Sequence, residues 1–335
     1  MLLGSSLGRE GIMEKPTNDL KKILRSCRGK HEYDCIVPLS GGKDSTYTAY
    51  VLKRKYNVNF LTLTMDIHLL SPQTLENIES VVKKLDVDHV TVKHRWNLCK
   101  TLFSAFIKKS GMSPRAICWV CNILLDKTIF ETLQRFDGPY LVTGNSEDQF
   151  AVFKEWETLL GFHNTGNKTF DYWSNWRNAY KELLEKMLPG SKHEFITDAL
   201  YPEPHIGDRA LNVAQIPLFK YETYDVDRIV EQIKKTVGWK LPMDVGGTEN
   251  DCMGLQFAVY LYRKQHGDQE YQRRVQEIVA SGRATEEIAT RAINNVDYSI
   301  RDFFYRELSL SDKDFKPNRC DPYLRKWLKL LKPIR

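Results

Sequence analysis

The densest chemistry in the chain sits in six consecutive residues, Ser40-Gly41-Gly42-Lys43-Asp44-Ser45. Two adjacent glycines permit a tight turn in which successive backbone N–H groups face one point, a concave nest for an anion. A helix beginning at that turn would add about half a positive charge at its N-terminus. Ser40 and Ser45 offer hydroxyl donors, Lys43 offers a cation to phosphate oxygens, and Asp44 is a candidate magnesium ligand. The spacing is not that of a Walker A loop, which needs Gly-x4-Gly-Lys-Ser/Thr. The plainer alternative is a structural turn capped by its own serines.

A second concentration is sulfur. Cys118-Trp119-Val120-Cys121 places two thiols within reach of one metal, or lets them exchange as a dithiol, and a helix N-terminus there would favour the thiolate. Cys252 follows the Gly-led turn Gly246-Gly247-Thr248-Glu249-Asn250-Asp251. Three thiols are one short of an all-cysteine zinc site but suffice for a [4Fe–4S] cluster with one open iron, able to hold an external sulfide. A persulfide on Cys118 or Cys121 is a cluster-free route, and a chance pair of half-buried cysteines is the bland one. Arg115 is either a clamp for a substrate phosphate or carboxylate or an ordinary surface arginine. His163, His193 and His205 read as surface or hydrogen-bonded residues, and Cys35 as a buried small hydrophobe.

These residues need a scaffold, and the surrounding pattern supplies one. Asp34–Leu39 reads as a buried strand, the glycine turn follows, and a helix runs through Lys55. Val58–Met65 is a second strand, and Leu75, Ile78, Val82 and Leu85 mark a helical face. His89–Val92 is a third strand, Leu102, Phe103 and Phe106 lie on a helix, and Cys121 to Phe136 forms another, stopped by Asp137-Gly138-Pro139. Tyr140–Thr143 is a fourth strand. Strands separated by helical crossovers predict an α/β fold, a doubly wound parallel sheet covered on both faces.

Between Phe150 and Asn212 the rhythm fails in an aromatic stretch with Trp156, Trp173 and Trp176, read as an insertion or lid near a substrate pocket, or else as a satellite aromatic cluster. After Asp225, a plausible N-cap, the chain turns helical: Ile229, Val230, Ile233 and Val237 share a face, and helices are expected over Leu255–His266, Gln269–Ala280 and Thr285–Asn294. The expected divisions are an extension over 1–30, a nucleotide-binding domain over 31–150, the insertion over 151–222 and a helical region over 223–335. The basic, aromatic C-terminus from Tyr323 to Arg335 reads as a solvated amphipathic helix.

The 335 residues, 42% hydrophobic and 27% charged, fit a globular protein and exclude a disordered chain. No apolar run approaches the roughly 20 residues of a membrane span, and no secretory leader is recognisable, so no membrane partner is expected. Seven scattered cysteines, an odd number, argue against a disulfide framework and for a reducing cytoplasm. A net charge of +6 permits a phosphate-bearing ligand without demanding nucleic acid.

With its loop after the first strand, the sequence resembles the PP-loop ATP pyrophosphatases, whose signature is Ser-Gly-Gly-x-Asp-Ser. That resemblance, over about residues 33–150, implies a HUP-type Rossmann-like domain that binds ATP with magnesium, adenylates a carbonyl-type oxygen and releases AMP and pyrophosphate. It implies that Ser40, Gly41, Gly42, Lys43, Asp44 and Ser45 hold pyrophosphate, with Lys43 and Asp44 catalytic. Asp66, ending the second strand, would lie beside the nucleoside, and Gly144 in Thr143-Gly144-Asn145 would join the ATP site. Asn145 stands where many members have His.

The Cys-x-x-Cys with a later cysteine resembles the iron–sulfur PP-loop enzymes that thiolate tRNA, which makes Cys118, Cys121 and Cys252 cluster ligands and Cys118 and Cys121 catalytic. Tyr33 to Ser45, the Gly238-Trp239-Lys240 turn and Ser281 to Ile288 resemble instead the N-acetyl sugar amidotransferases, fed with ammonia by a separate glutaminase. The expectation drawn is an ATP-dependent transferase that replaces a small molecule's oxygen, on a nucleobase or sugar, with sulfur from a cysteine desulfurase. The alternatives are the amidotransferase, a tRNA thiolation enzyme and a non-catalytic nucleotide-binding subunit. Nucleic acid is the less favoured partner, and a homodimer is left open.

Overall fold

The computed structural model describes residues 17–136, 138–145, 181–188, 190, 196, 200, 214–242, 252–294 and 299–316. The tryptophan-rich part of the insertion, its three histidines, the Gly246–Asp251 turn and the basic C-terminus lie outside these residues.

Five parallel strands form one sheet in the order β3-β2-β1-β4-β5: β1 Cys35–Pro38, β2 Phe60–Asp66, β3 Asp88–Lys93, β4 Tyr140–Thr143 and β5 Ala214–Pro217. Alternation along the strands sends side chains to opposite faces. Cys35, Val37, Phe60 and Val142 enter one core, while Ile36, Leu61, Leu63 and Leu141 enter another. Both faces are therefore apolar and must be covered. The first is covered by α1 (Thr17–Cys27), α2 (Lys43–Arg54), α3 (Pro72–Leu85) and α6 (Val226–Val237), through Leu20, Leu52, Val81 and Ile233. The second is covered by α5 (Ala116–Arg135), through Leu133 and Ile129. The predicted α/β doubly wound sheet is present.

The other side of α5, with Ile117, Trp119, Val120, Ile123 and Leu124, joins α4 (Trp96–Lys109), α7 (Gly254–His266) and α10 (Ser299–Glu307) in a separate helical core. Two-sided burial explains why α5 shows no single apolar stripe and why its beginning is poorly marked in sequence. It starts five residues before the expected Cys121, so the Cys-x-x-Cys lies in its first two turns. Two more helices, α8 (Asp268–Ala280) and α9 (Glu286–Asn294), lie between α7 and α10.

Tyr140–Thr143 falls where the sequence placed it, and Asp225 caps α6, accepting a bond from the Arg228 N–H at 3.1 Å. β5 was not foreseen. Its four residues, Ala-Gln-Ile-Pro, are too short to alternate visibly, and pairing with β4 makes them a strand. The strand order reverses between β1 and β4, and ligands of open parallel sheets bind outside the carboxyl ends at that point.

Candidate functional site

Leu39 to Gly42 leave β1 at its carboxyl end and enter α2. The base of the loop is fastened to β2: the Leu39 N–H donates to Leu63 O at 2.7 Å, and the Thr64 hydroxyl donates to Leu39 O at 2.5 Å. Gly41 takes φ +81°, and a Cβ there would stand 2.8 Å from Thr74 O at the start of α3, so glycine is required twice over. The Gly41 carbonyl accepts from the indole Nε1 of buried Trp239 at 2.9 Å. Within the loop, the Ser40 and Ser45 hydroxyls stand 3.1 Å apart, Ser45 Oγ accepts from the Ser40 N–H at 3.2 Å, and Ser45 Oγ is 3.2 Å from Gly42 O. The serines thus brace the turn. Gly42, the N-cap of α2, is extended, and no side chain caps the helix. Its first-turn amides and the aligned peptide dipoles make an anion site.

Lys43 is buried, and its ammonium donates to Asp44 Oδ2 at 2.7 Å. The same ammonium lies 5.8 Å from the centre of the Tyr224 ring. Burial, then the Asp44 charge, pushes the Tyr224 hydroxyl above its ordinary range, and that hydroxyl bonds with both Lys43 and Asp44. Asp44 Oδ1 is buried without a hydrogen-bond partner, as is Thr143 Oγ1 at the end of β4. Gly144 follows directly; a Cβ on it would meet Asp44 O at 2.7 Å and Thr48 Oγ1 at 2.9 Å. Buried carboxylate and hydroxyl oxygens lacking partners cost free energy unless a ligand or cation satisfies them. Oxygen donors suit magnesium, and Asp44 is the residue here that could hold such an ion.

Asp66 ends β2 at the same edge of the sheet, but its carboxylate is already engaged. Oδ1 accepts from the His68 N–H at 2.7 Å, and Oδ2 pairs with Lys93 at 2.9 Å. These contacts shape the turn that follows β2.

That turn leads to the cysteines. The Met253 N–H donates to Leu69 O at 2.8 Å, and Leu70 pairs with Cys252 in an isolated antiparallel bridge. A Cβ on Gly254 would meet Ile117 Cγ2 at 3.1 Å and Cys252 Sγ at 3.2 Å, so the start of α7 rests against the first turn of α5. Cys118 is exposed there, and Cys121 and Cys252 are half-buried against the same core. The structure thus brings the third cysteine beside the Cys-x-x-Cys helix. Among the described residues, no three His, Cys, Asp or Glu side chains gather into a metal-holding group. The thiols as placed do not form the three-ligand set that an iron–sulfur cluster needs. One segment, Asp66 to Thr74, touches both chemistries, since Thr74 abuts Gly41 while Leu69 and Leu70 hold Cys252.

Residues 33–147 match the tRNA methyl transferase HUP domain family. An uncharacterized protein of Methanocaldococcus jannaschii is 29% identical over 133 residues, 39% of this chain and 46% of its own length. The tRNA-specific 2-thiouridylase MnmA 2 of Fusobacterium nucleatum is 24% identical over 233 residues, 68% of this chain and 56% of its own. The likeness to that family is thus confined to residues 33–147, and the likeness to the 2-thiouridylase extends over a longer stretch at lower identity. The chain spans about half the length of these two relatives. The solved U34-tRNA thiolase NcsA from Methanococcus maripaludis, described with its [4Fe-4S] cluster, aligns with 91% of this chain and 88% of its own at 14% identity and a TM-score of 0.37, too low to carry an argument.

The sequence located the loop itself but missed two of its neighbours. Tyr224 lies before the N-cap of α6, and Thr143 reads as an ordinary strand end, so neither carries a local signal. Trp239 was visible only as part of a turn, and its bond to the loop comes from a residue 198 positions away. The arrangement can hold a polyphosphate at α2, present a lysine and a carboxylate to it, and keep an exposed thiol at the head of α5.

Proposed function

We propose that this chain cleaves ATP to AMP and pyrophosphate, adenylating a carbonyl-type oxygen of an acceptor that is then replaced by sulfur. The observation carrying the reading is the uncapped N-terminus of α2 behind the Gly41-Gly42 turn, facing the carboxyl edge of the sheet where strand order reverses. Pyrophosphate is the leaving group that this site suits, being a dense anion met by backbone amides and Lys43. The Lys43 ammonium has three donors, enough to keep its bond to Asp44 and still meet a phosphate oxygen. Magnesium held by Asp44 would neutralise phosphate charge. Adenylation makes the acceptor oxygen leave as part of AMP, which a free oxide cannot do.

Sulfur is assigned to Cys118, exposed at the head of α5, where the helix N-terminus favours an anionic thiol. A persulfide on Cys118, delivered by a cysteine desulfurase, attacks the adenylated carbon through its outer sulfur and AMP departs. Cys121 or Cys252 then takes the Cys118 sulfur into a disulfide, freeing the thiocarbonyl, and a thiol reductant resets the pair. The matching relatives named tRNA-specific 2-thiouridylases support a nucleobase carbonyl as acceptor, carried on tRNA or as a small molecule.

The test is to incubate the full chain with ATP, magnesium, a persulfide donor and either unmodified tRNA or free uridine, reading pyrophosphate release and product mass. A heavier, sulfur-for-oxygen product that disappears with Cys118→Ser is expected. A slightly lighter, nitrogen-for-oxygen product formed with ammonia would replace the sulfur reading by amidation. Bound ATP with no pyrophosphate from any acceptor would overturn the enzymatic reading.

A further inference from the structure

The residues between β5 and α6, Leu218 to Asp225, form a strap fastened to α2 at both ends and between them. At the start of the helix, the Lys43 ammonium lies 5.8 Å from the centre of the Tyr224 ring. About one turn on, Tyr47 stacks on Phe219, with ring centres 6.0 Å apart and planes at 4°. Phe219 in turn meets Tyr224 edge-on at 4.7 Å. Beyond the helix end, Glu222 engages Lys55 and Tyr56. The Lys55 ammonium donates to its two oxygens at 2.7 and 2.8 Å, and the Tyr56 hydroxyl donates to Oε1.

Glu222 is 8% exposed. Taking a carboxylate out of water costs about as much as such a pair returns, and an apolar residue of similar volume would hold the fold as well. What the pair supplies is position. Lys55 is half-exposed and can be solvated without its partner, so the immobilised group is the carboxylate. The Glu222 N–H donates to Leu218 O at 3.0 Å, closing the turn that carries Phe219. Tyr224 follows two residues later, so the anchoring of Glu222 limits where that ring can stand. On its other side the Lys43 ammonium is held by Asp44 at 2.7 Å.

We propose that Glu222 is a positioning residue for the nucleotide loop, acting through Tyr224, whose ring it keeps against the Lys43 ammonium. Its own side-chain bonds, among the described residues, go to Lys55 and Tyr56, neither of which belongs to the loop. The proposal rests on the reading of the loop at α2 as the nucleotide site, where Lys43 is the cation that meets phosphate.

The test is a double-mutant cycle on the full chain, with affinity for α,β-methylene-ATP and magnesium measured by calorimetry. Glu222→Gln is expected to weaken the analogue about fivefold, the scale of a misplaced partner in a packed network. Removing a negative charge near an anion site would by electrostatics alone tighten binding, so the expected sign is itself diagnostic. Tyr224→Leu should weaken binding at least as much, and adding Glu222→Gln to it should cause no further loss. Tyr56→Phe, which leaves the ion pair in place, should act in the same direction by less and should also be silent beside Tyr224→Leu; it carries the test if Glu222→Gln does not fold, which urea denaturation shows. A Glu222→Gln variant that binds the analogue as tightly as wild type, or a double variant weakened by the product of the two single losses, would overturn the role of Glu222 and leave the loop reading standing. Wild-type protein that binds no analogue would overturn both. ATP cleavage is not read, so failure of the adenylation reading leaves the result intact.

Discussion

Gly41 holds φ at +81°, and any side chain there meets the backbone oxygen of Thr74 at 2.8 Å, an atom that cannot rotate away. Gly41→Ala should therefore lower stability by about 1–3 kcal/mol and abolish ATP-dependent pyrophosphate release together, read by thermal unfolding and a coupled phosphate assay. Asp44→Asn tests charge with little change of shape. It should leave the melting temperature near wild type while cutting pyrophosphate release by about a hundredfold, as expected when a preorganised charge at a reacting phosphate is lost. Tyr224→Phe removes the hydroxyl shared by Lys43 and Asp44 but keeps the ring under the ammonium. The expected outcome is a raised KM for ATP with a smaller change in kcat, because Lys43 loses one of the partners that orient it.

At the scale of elements, the loop is held by a helix from the far end of the chain. α6 ends at Gly238 in the left-handed conformation, and the turn beyond it is clamped to α3. Asn77 donates to Lys240 O at 2.8 Å and accepts from the Lys240 N–H at 2.9 Å, while Ser80 donates to Val237 O at 2.5 Å. This clamp delivers Trp239 to Gly41. Trp239→Phe keeps most of the apolar burial and deletes only the Nε1 bond, leaving the Gly41 carbonyl without that donor. A loss of about 1 kcal/mol in unfolding free energy is expected, with weaker ATP binding, measured by urea denaturation and nucleotide titration. On the sulfur side Gly254 marks a comparable close approach, since a Cβ there would press on Leu69 Cδ1 at 3.0 Å and Ile117 Cγ2 at 3.1 Å and those side chains would have to shift.

Across the whole molecule, stability is tied to two histidines under the sheet edge. His94 is buried, and its Nε2 stands 2.8 Å from the Thr128 hydroxyl. That hydroxyl donates to Leu124 O at 2.8 Å, so it accepts from a neutral His94 that carries its proton on Nε2. Burial holds His94 below its ordinary range, with the Lys127 charge adding to the effect, and burial does the same to His89. The unfolded chain therefore takes up protons that the folded chain resists. Stability is fully present above the ordinary histidine pKa of about 6.5 and is lost as pH falls through it toward the depressed folded values. Chemical denaturation followed from pH 8 to pH 5 should show a falling midpoint. His94→Gln, which retains a donor for Thr128, should flatten that decline, and an unchanged slope would show that other groups govern it.

The sequence by itself determined the parallel α/β core and the anion loop, because both are local. Alternating and helical periodicities follow from burial of one face or two, and Ser40 to Ser45 needs only its own glycines and the helix behind it to make a nest. It also named the three cysteines, and the resemblance to the iron–sulfur enzymes implied that Cys252 lies near Cys118 and Cys121. Tertiary structure alone decided the remainder: that Ala214–Pro217 is a strand, that Asp66 is occupied by Lys93, and that Tyr224 and Trp239 guard the loop. Each of these is a contact between residues far apart in the chain. Its free energy comes from desolvation and partner geometry that exist only once the layers are packed.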